Sequence, residues 1–239
     1  MSAAKRPAKN TTKAVKQKPR RPRAAPRGAA LKAHALEVLK RLRAEYPDAH
    51  CELDYRNPYE LAVATVLSAQ CTDKRVNIVT PELFRRWPDP ASLAEAPIGE
   101  IEDVIRSTGF FRSKAKSLSG LAKALLERHS GVLPESMDEL VVLPGIGRKT
   151  ANVVLGNAFG INEGIVVDTH VARLSARLGF TRDTDAVKIE RALVPLFPRD
   201  SWTLLSHLLI WHGRRICVAR KPRCADCVLN DICPSAFTF

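Results

Sequence analysis

The stretch LPGIGRKTAN, from Leu143 to Asn152, decides how the surrounding chain folds. Gly145 and Gly147 carry no side chain, so the backbone between them turns sharply and approaches another molecule closely. Upstream, Ser136 and Glu139 have capping-box spacing for a short helix, and the residues after the turn are rich in helix formers. The pattern predicts a helix, a hairpin turn and a second helix.

The start of that second helix has the features of an anion site. Its first N–H groups have no partner within the helix and carry the positive end of the helix dipole, beside Arg148 and Lys149. Such a terminus holds a phosphate without reading bases, so we predict sequence-independent binding through Gly145, Gly147 and Arg148. An ordinary glycine-containing connection with solvated basic residues is the alternative that this stretch alone leaves open.

Positive charge is concentrated at the start of the chain. Of 239 residues 45% are hydrophobic, which is typical of one large or two modest globular domains. The net charge is +13, yet the first 30 residues contain ten Lys and Arg and no acid, which leaves +3 for the rest. We predict that residues 1–30 form a disordered basic tail that binds polyanions, or else a solubilising extension.

Apolar periodicity and capping residues predict an all-α chain. The only strand-like stretch, residues 164–167, is too short to form a sheet. No apolar span of about 18 residues is present, so we expect a cytoplasmic protein with no membrane association. Helices are predicted over residues 31–46, 59–69, 74–86, 113–129, 149–159, 169–178 and 201–212, with two short helices after Asp89 and Ala96 and another from Thr184 or Asp185 to about 196.

Several polar residues have local structural explanations. Asp73 is predicted to cap the helix over residues 74–86, and Cys51 and Cys71 are predicted to be buried free thiols. The spacing of His170, His207 and His212 does not suit a shared metal ion, so these residues are interpreted as structural.

Two positions are candidates for contact with a ligand. Gln70 follows a strongly apolar helix, where a side chain faces either a ligand or solvent. Phe110, Phe111 and Arg112 fall in a turn, and exposed aromatic rings there would wedge into an opened base step. Rings folded into the core are an equal alternative for the two phenylalanines.

Four cysteines near the C-terminus indicate a metal centre. Cys217, Cys224, Cys227 and Cys233 lie within 17 residues, and four thiolates suit tetrahedral sulfur ligation better than disulfides in an intracellular chain. Zinc and iron–sulfur ligation both remain open on this chemistry. Five basic residues lie just before or within the first interval and would offset cluster charge and contact a phosphate backbone, namely Arg214, Arg215, Arg220, Lys221 and Arg223.

Three motifs in order give the chain a family resemblance. LPGIGRKTAN, VDTH at Val167–His170 and the four cysteines resemble the endonuclease III family of DNA repair glycosylases over about residues 31–235. The resemblance implies a helix-hairpin-helix glycosylase fold, with residues 53–161 as a six-helix barrel domain. Residues 31–52 and 162–239 would form an iron–sulfur cluster domain that holds a [4Fe-4S] cluster on the four cysteines.

The resemblance also implies roles at a cleft between the domains. Gln70, within LSAQ, would fill the space left when a nucleotide leaves the duplex, and Lys149 would attack C1′ of that nucleotide. Asp168 would accept the proton and stabilise the cationic sugar, besides capping the next helix. A neutral lysine at pH 7 costs roughly 4.6 kcal/mol and a helix N-terminus offsets at most about 2 kcal/mol, so burial and Arg148 are expected to supply the remainder.

The implied activity is a bifunctional DNA glycosylase and AP lyase of base excision repair. Its partner would be double-stranded DNA with an oxidised pyrimidine or abasic site, bound by a monomer in a bacterial cytoplasm near the nucleoid. Phe-Phe-Arg at residues 110–112 departs from the Leu-Tyr-Asn that is usual in the family, so the resemblance does not define the lesion preference. Two alternative functions fit the motifs less well. An adenine-mismatch glycosylase lacks the nucleophilic lysine, and a non-catalytic DNA-binding iron–sulfur protein would not require Lys149, Asp168 and Gln70 together.

Overall fold

The computed structural model describes residues 21–239, which are all-α as predicted. Within that part of the chain there is no β-strand, and no helix is long and apolar enough to cross a membrane. The helices are α1 (Ala29–Glu45), α2 (Pro58–Leu67), α3 (Asp73–Arg86), α4 (Pro90–Glu95), α5 (Ile98–Ile105), α6 (Phe111–His129), α7 (Met137–Leu140), α8 (Arg148–Ala158), α9 (Thr169–Arg177), α10 (Ala186–Leu193) and α11 (Trp202–Arg215).

Side-chain caps begin five of the eleven helices of residues 21–239 at the predicted places. Asn57 accepts a hydrogen bond from the Glu60 amide at 2.9 Å, and Asp185 caps α10. The cap predicted at Asp73 is wrong, because Thr72 accepts from the Arg75 amide and Asp73 is the first residue of α3. The carboxylate of Asp73 is therefore available for a different contact.

Some boundaries differ from the predicted ones. Of the predicted tail, residues 1–20 lie outside the described residues, and α1 begins at Ala29 rather than at residue 31. α6 begins two residues early, at Phe111. The strand-like run 164–167 is an extended buried segment, in which the amide of Val166 donates to the hydroxyl of Ser206 at 3.0 Å.

Two hydrophobic clusters organise the chain. The first is built from residues between 53 and 155, with α2 inside it, where every residue from Tyr59 to Leu67 is buried. The second combines α1 with residues between 165 and 229. The hairpin between α7 and α8 belongs to the first cluster, and three cysteines near the C-terminus, Cys217, Cys227 and Cys233, pack against the second.

Close packing of α8 on α11 joins the two clusters. A Cβ atom at Gly156 would lie 2.2 Å from Oγ1 of Thr203, so only glycine allows this approach. The Thr203 hydroxyl donates to Asn162 at 2.7 Å, which fixes its position at the contact. The helix that follows the hairpin is thus held against the second cluster.

Candidate active site

A cavity of about 1320 Å³ opens between the two clusters. Its lining comes from the end of α2, the start of α3, the start of α8, the start of α9 and the end of α11. Gln70, Lys149 and Asp168, which the family resemblance places at one cleft, all line it, together with Arg214. A smaller recess below the cavity also contacts Lys149 and Asp168.

Lys149 is presented by the hairpin at the N-terminus of α8. Gly145 has a φ of 80°, and a Cβ there would lie 2.9 Å from Cβ of Ser117, so both conformation and space require glycine. Gly147 is the N-cap of α8 and provides no side-chain cap, which leaves the first N–H groups of α8 for an external anion. Lys149 itself is exposed to the cleft rather than buried, contrary to our expectation.

Asp168 lies at the N-terminus of α9 and caps it. Its Oδ1 accepts hydrogen bonds from the amides of His170 and Val171, both at 2.8 Å. Because both bonds go to one oxygen, the other carboxylate oxygen has no hydrogen-bond partner among residues 21–239 and lies at the cleft that Asp168 lines. The capping bonds hold the carboxylate in place, and the second oxygen can accept a proton or face a cation.

Two arginines that the sequence assigns to DNA binding have carboxylate partners. Arg148 donates to both oxygens of Glu190, at 2.9 and 3.0 Å, and the Glu190 side chain is only 8% exposed. Arg214 pairs with Asp73 at 2.7 Å and with Glu52. Sequence reasoning missed Glu52 and Glu190, because each lies far along the chain from its partner.

Gln70 and the Phe110 turn both project from left-handed backbone. Gln70 is exposed with φ 54°, and Phe110 is 66% exposed with φ 48°. Phe111 instead packs against the first cluster, and the guanidinium groups of Arg106 and Arg112 lie 5.2 and 5.6 Å from its ring centre. Of the two phenylalanines of this turn, Phe110 is therefore the one whose ring is exposed.

The four cysteines gather around a second cavity. Cys217, Cys224, Cys227 and Cys233 all line it, and all four are free thiols of intermediate exposure. Arg177 donates to the sulfur of Cys217 at 3.2 Å. Burial raises the pKa of Cys227 to about 12 and of Cys233 to about 11, so these thiols need a positive metal centre to ionise.

This donor set fits an iron–sulfur group. Four thiols that converge on one space, with N–H donors aimed at sulfur, provide the ligands and hydrogen bonds that such clusters use. The amide of Leu229 donates to Cys227 at 3.4 Å. Arg220, Lys221 and Arg223 are exposed on the same loop and present positive charge outward.

His207 and His212 have hydrogen-bond partners within the fold, whereas His170 lines the cleft beside Asp168. His207 is half-buried and contacts Asn157 at 2.7 Å, and desolvation lowers its pKa to about 4. His212 lies between the hydroxyl of Tyr46 and the sulfur of Cys227, at 2.9 and 3.3 Å. The contact between His212 and Cys227 was not predicted. It forms because α11 continues past His212 toward the loop that carries the cysteines. Cys51 and Cys71 are half-buried rather than buried.

Comparisons with known proteins agree with this geometry. Residues 63–199 match the HhH-GPD superfamily of base excision DNA repair proteins, and residues 217–233 match the iron–sulfur binding domain of endonuclease III. Endonuclease III of Synechocystis is 54% identical over 87% of this chain and 95% of its own, and that of Escherichia coli K12 is 41% identical over 84% and 95%.

Solved structures give the same result. A trapped endonuclease III–DNA covalent intermediate with an estranged adenine superposes with a TM-score of 0.82 at 44% identity, over 86% of this chain and 96% of that one. A thermostable thymine-DNA glycosylase shares the fold, with a TM-score of 0.77 at 21% identity over 87% and 98%. The hairpin, the cleft and the cysteine loop agree with these matches. The chain therefore belongs to the endonuclease III family of base excision DNA repair proteins.

Proposed function

We propose that this chain is a bifunctional DNA glycosylase and AP lyase that removes oxidised pyrimidines from duplex DNA. The observation that carries the proposal is the meeting of Lys149 and Asp168 at one cleft, each at the N-terminus of a helix. Family membership supports base excision chemistry, and a structural relative was trapped in covalent linkage with DNA.

Lys149 is the proposed nucleophile. Its Nζ forms a bond to C1′ of the extruded nucleotide, the bond from C1′ to the base breaks, and the electron pair leaves with the base. The sugar ring then opens to a Schiff base, and loss of a C2′ proton expels the 3′ phosphate. One enzyme thereby removes the base and cuts the strand.

Asp168 is the proposed proton acceptor and electrostatic partner. The oxygen that is free of capping bonds stabilises positive charge on the sugar while the carboxylate is ionised, and it takes the proton that Nζ of Lys149 loses once the bond to C1′ has formed. Lys149 is exposed and Glu190 neutralises Arg148, so the neutral amine does not come from burial or from that guanidinium in the free protein. Bound DNA covers the cleft and excludes water from Lys149, and this desolvation favours the neutral amine.

The proposed contacts with DNA use both backbone and side-chain groups. The open N–H groups after Gly145 and Gly147 hold a phosphate of the cut strand. The exposed basic loop, with Arg220, Lys221 and Arg223, adds sequence-independent contacts. Gln70 fills the space of the extruded nucleotide, and Phe110 is the wedge candidate that the structure leaves exposed.

The cofactor is a [4Fe-4S] cluster, and we propose Cys217, Cys224, Cys227 and Cys233 as its ligands. When bound, the cluster cross-links residues 217–233 and holds the basic loop in shape. We further propose that residues 53–161 form a barrel domain and residues 31–52 with 162–239 a cluster domain, in line with the two hydrophobic clusters. The enzyme would act as a monomer on DNA of the bacterial cytoplasm.

Borohydride trapping tests the proposal. The cluster-loaded protein is incubated with a duplex containing one thymine glycol, beside Lys149→Gln and beside Lys188→Gln, an exposed lysine outside the cleft lining. We expect a covalent adduct with the parent and Lys188→Gln but none with Lys149→Gln, which should still bind DNA. An adduct that persists in Lys149→Gln would remove this lysine from the mechanism.

A further inference from the structure

Lys114 is a buried cation that the proposed chemistry leaves without a role. It lies in the first turn of α6 and is only 5% exposed. Its Nζ donates to the carbonyl oxygens of Leu67 and Thr108, both at 2.8 Å. Among residues 21–239 no carboxylate forms an ion pair with Lys114, and burial lowers its pKa. A buried ammonium with only carbonyl partners is costly, so its placement needs a reason.

Both carbonyl oxygens belong to helix ends. Leu67 is the last residue of α2, and Thr108 is the last residue of a 3₁₀ helix over Arg106–Thr108. Carbonyls at helix C-termini lack intrahelical partners and carry the negative end of the helix dipole. The ammonium of Lys114 therefore joins two helix ends that lie about 40 residues apart in sequence.

A left-handed residue follows each of these ends. Gln70 comes three residues after Leu67 and has φ 54°, and Phe110 comes two residues after Thr108 and has φ 48°. Side chains other than glycine rarely adopt this conformation, so the surrounding structure must hold it. Gln70 and Phe110 are also the two exposed residues that face an opened duplex in the proposed function.

We propose that Lys114 is a positioning residue for strand opening, because its ammonium fixes the end of α2 to the turn before α6 so that Gln70 and Phe110 enter DNA as a pair. This inference rests on the proposed function and adds to it the residue that fixes the relative position of the two inserted side chains. It predicts a defect confined to substrates whose strands must be separated. A residue that only stabilises the fold would affect every substrate alike.

Two substrates separate these outcomes. Lys114→Met keeps an unbranched side chain that is one atom shorter and removes all three donors, and Lys123→Met changes an exposed lysine of the same helix as the control. With cluster-loaded protein, we expect the single-turnover rate on a thymine glycol duplex to fall by about tenfold to a hundredfold in Lys114→Met. Strand cleavage of a single-stranded abasic oligonucleotide should be unchanged, and Lys123→Met should match the parent on both substrates.

A double-mutant comparison identifies the route of the effect. If Lys114 acts through Gln70 and Phe110, Lys114→Met should have no further effect on the duplex rate in a Gln70→Ala, Phe110→Ala background. Equal losses on both substrates, or an undiminished loss in that background, would overturn the proposal. Lys114→Gln, which keeps two donors, serves as the second variant. Failure of both variants to fold would assign Lys114 to stability alone and also refute the proposal, whereas a parent inactive on both DNAs would instead refute the proposed function.

Discussion

Replacement of Glu190 by glutamine should lower the free energy of unfolding and, at the same time, raise the nonspecific affinity for DNA. Glu190 accepts two hydrogen bonds from Arg148 and a third from Asn152 at 3.2 Å. A hydrogen bond to a charged group contributes about 1.5–3 kcal/mol, but the Arg148 side chain is 48% exposed, so solvent screens its share. Glutamine keeps one acceptor, and we expect a loss of about 1–2 kcal/mol in the free energy of unfolding.

This loss corresponds to a fall of about 2–8 °C in melting temperature for a chain of this size. The released Arg148 lies beside the hairpin and gains one phosphate, so the plot of log affinity against log salt should steepen by about 0.9. Thermal denaturation measures the first change, and fluorescence anisotropy on undamaged duplex over a salt series measures the second.

Glu163→Gln provides the matched control, because its ion pair with Arg199 is exposed on both sides, at 42% and 63%. We expect that variant to change the free energy of unfolding by less than about 0.5 kcal/mol and to leave the salt slope unchanged. If Glu190→Gln melted like the control and bound DNA with the parental salt slope, Glu190 would not restrain Arg148 in solution.

Four further variants test the site and its surroundings. Asp168→Asn retains a capping side chain, so its melting temperature should stay near the parental value while single-turnover base removal falls by about 10²–10⁴-fold. His207 has its pKa lowered to about 4 in the folded protein, so the unfolded chain binds more protons between about pH 4 and 6.5. The free energy of unfolding should fall as pH drops through that window, and less steeply in His207→Asn, as urea titrations at several pH values would show. Phe110→Ala should leave stability within about 0.5 kcal/mol of the parent but slow base removal from duplex DNA, whereas Phe111→Ala should lower the melting temperature.

Local features of the fold could be predicted from the sequence. Asn57 and Asp185 cap helices where their spacing indicates, and α2 is a core helix because most of its residues are apolar. The hairpin with Gly145 also forms as predicted, since its turn depends on residues that are adjacent in sequence. These elements need no knowledge of distant partners.

The charge environment of the cleft could not be predicted in the same way. Arg148 and Arg214 read as free cations in the sequence, yet their carboxylate partners Glu190 and Glu52 lie 42 and 162 residues away. The exposure of Lys149 likewise depends on how the two clusters face each other. Lys114 reads as an ordinary helix lysine, and its burial appears only when the ends of two other helices meet it.

The burial of α2 has a consequence for sequence variation. Nine of its ten residues are buried, so almost every substitution there meets packed neighbours, whereas only four of the seventeen residues of α1 are buried. In a survey of random replacements, α2 should therefore accept very few changes and α1 should accept many. A helix without a solvent face can change in evolution only together with the residues packed around it. The same packing holds the end of α2, and with it the backbone that leads to Gln70, in one position.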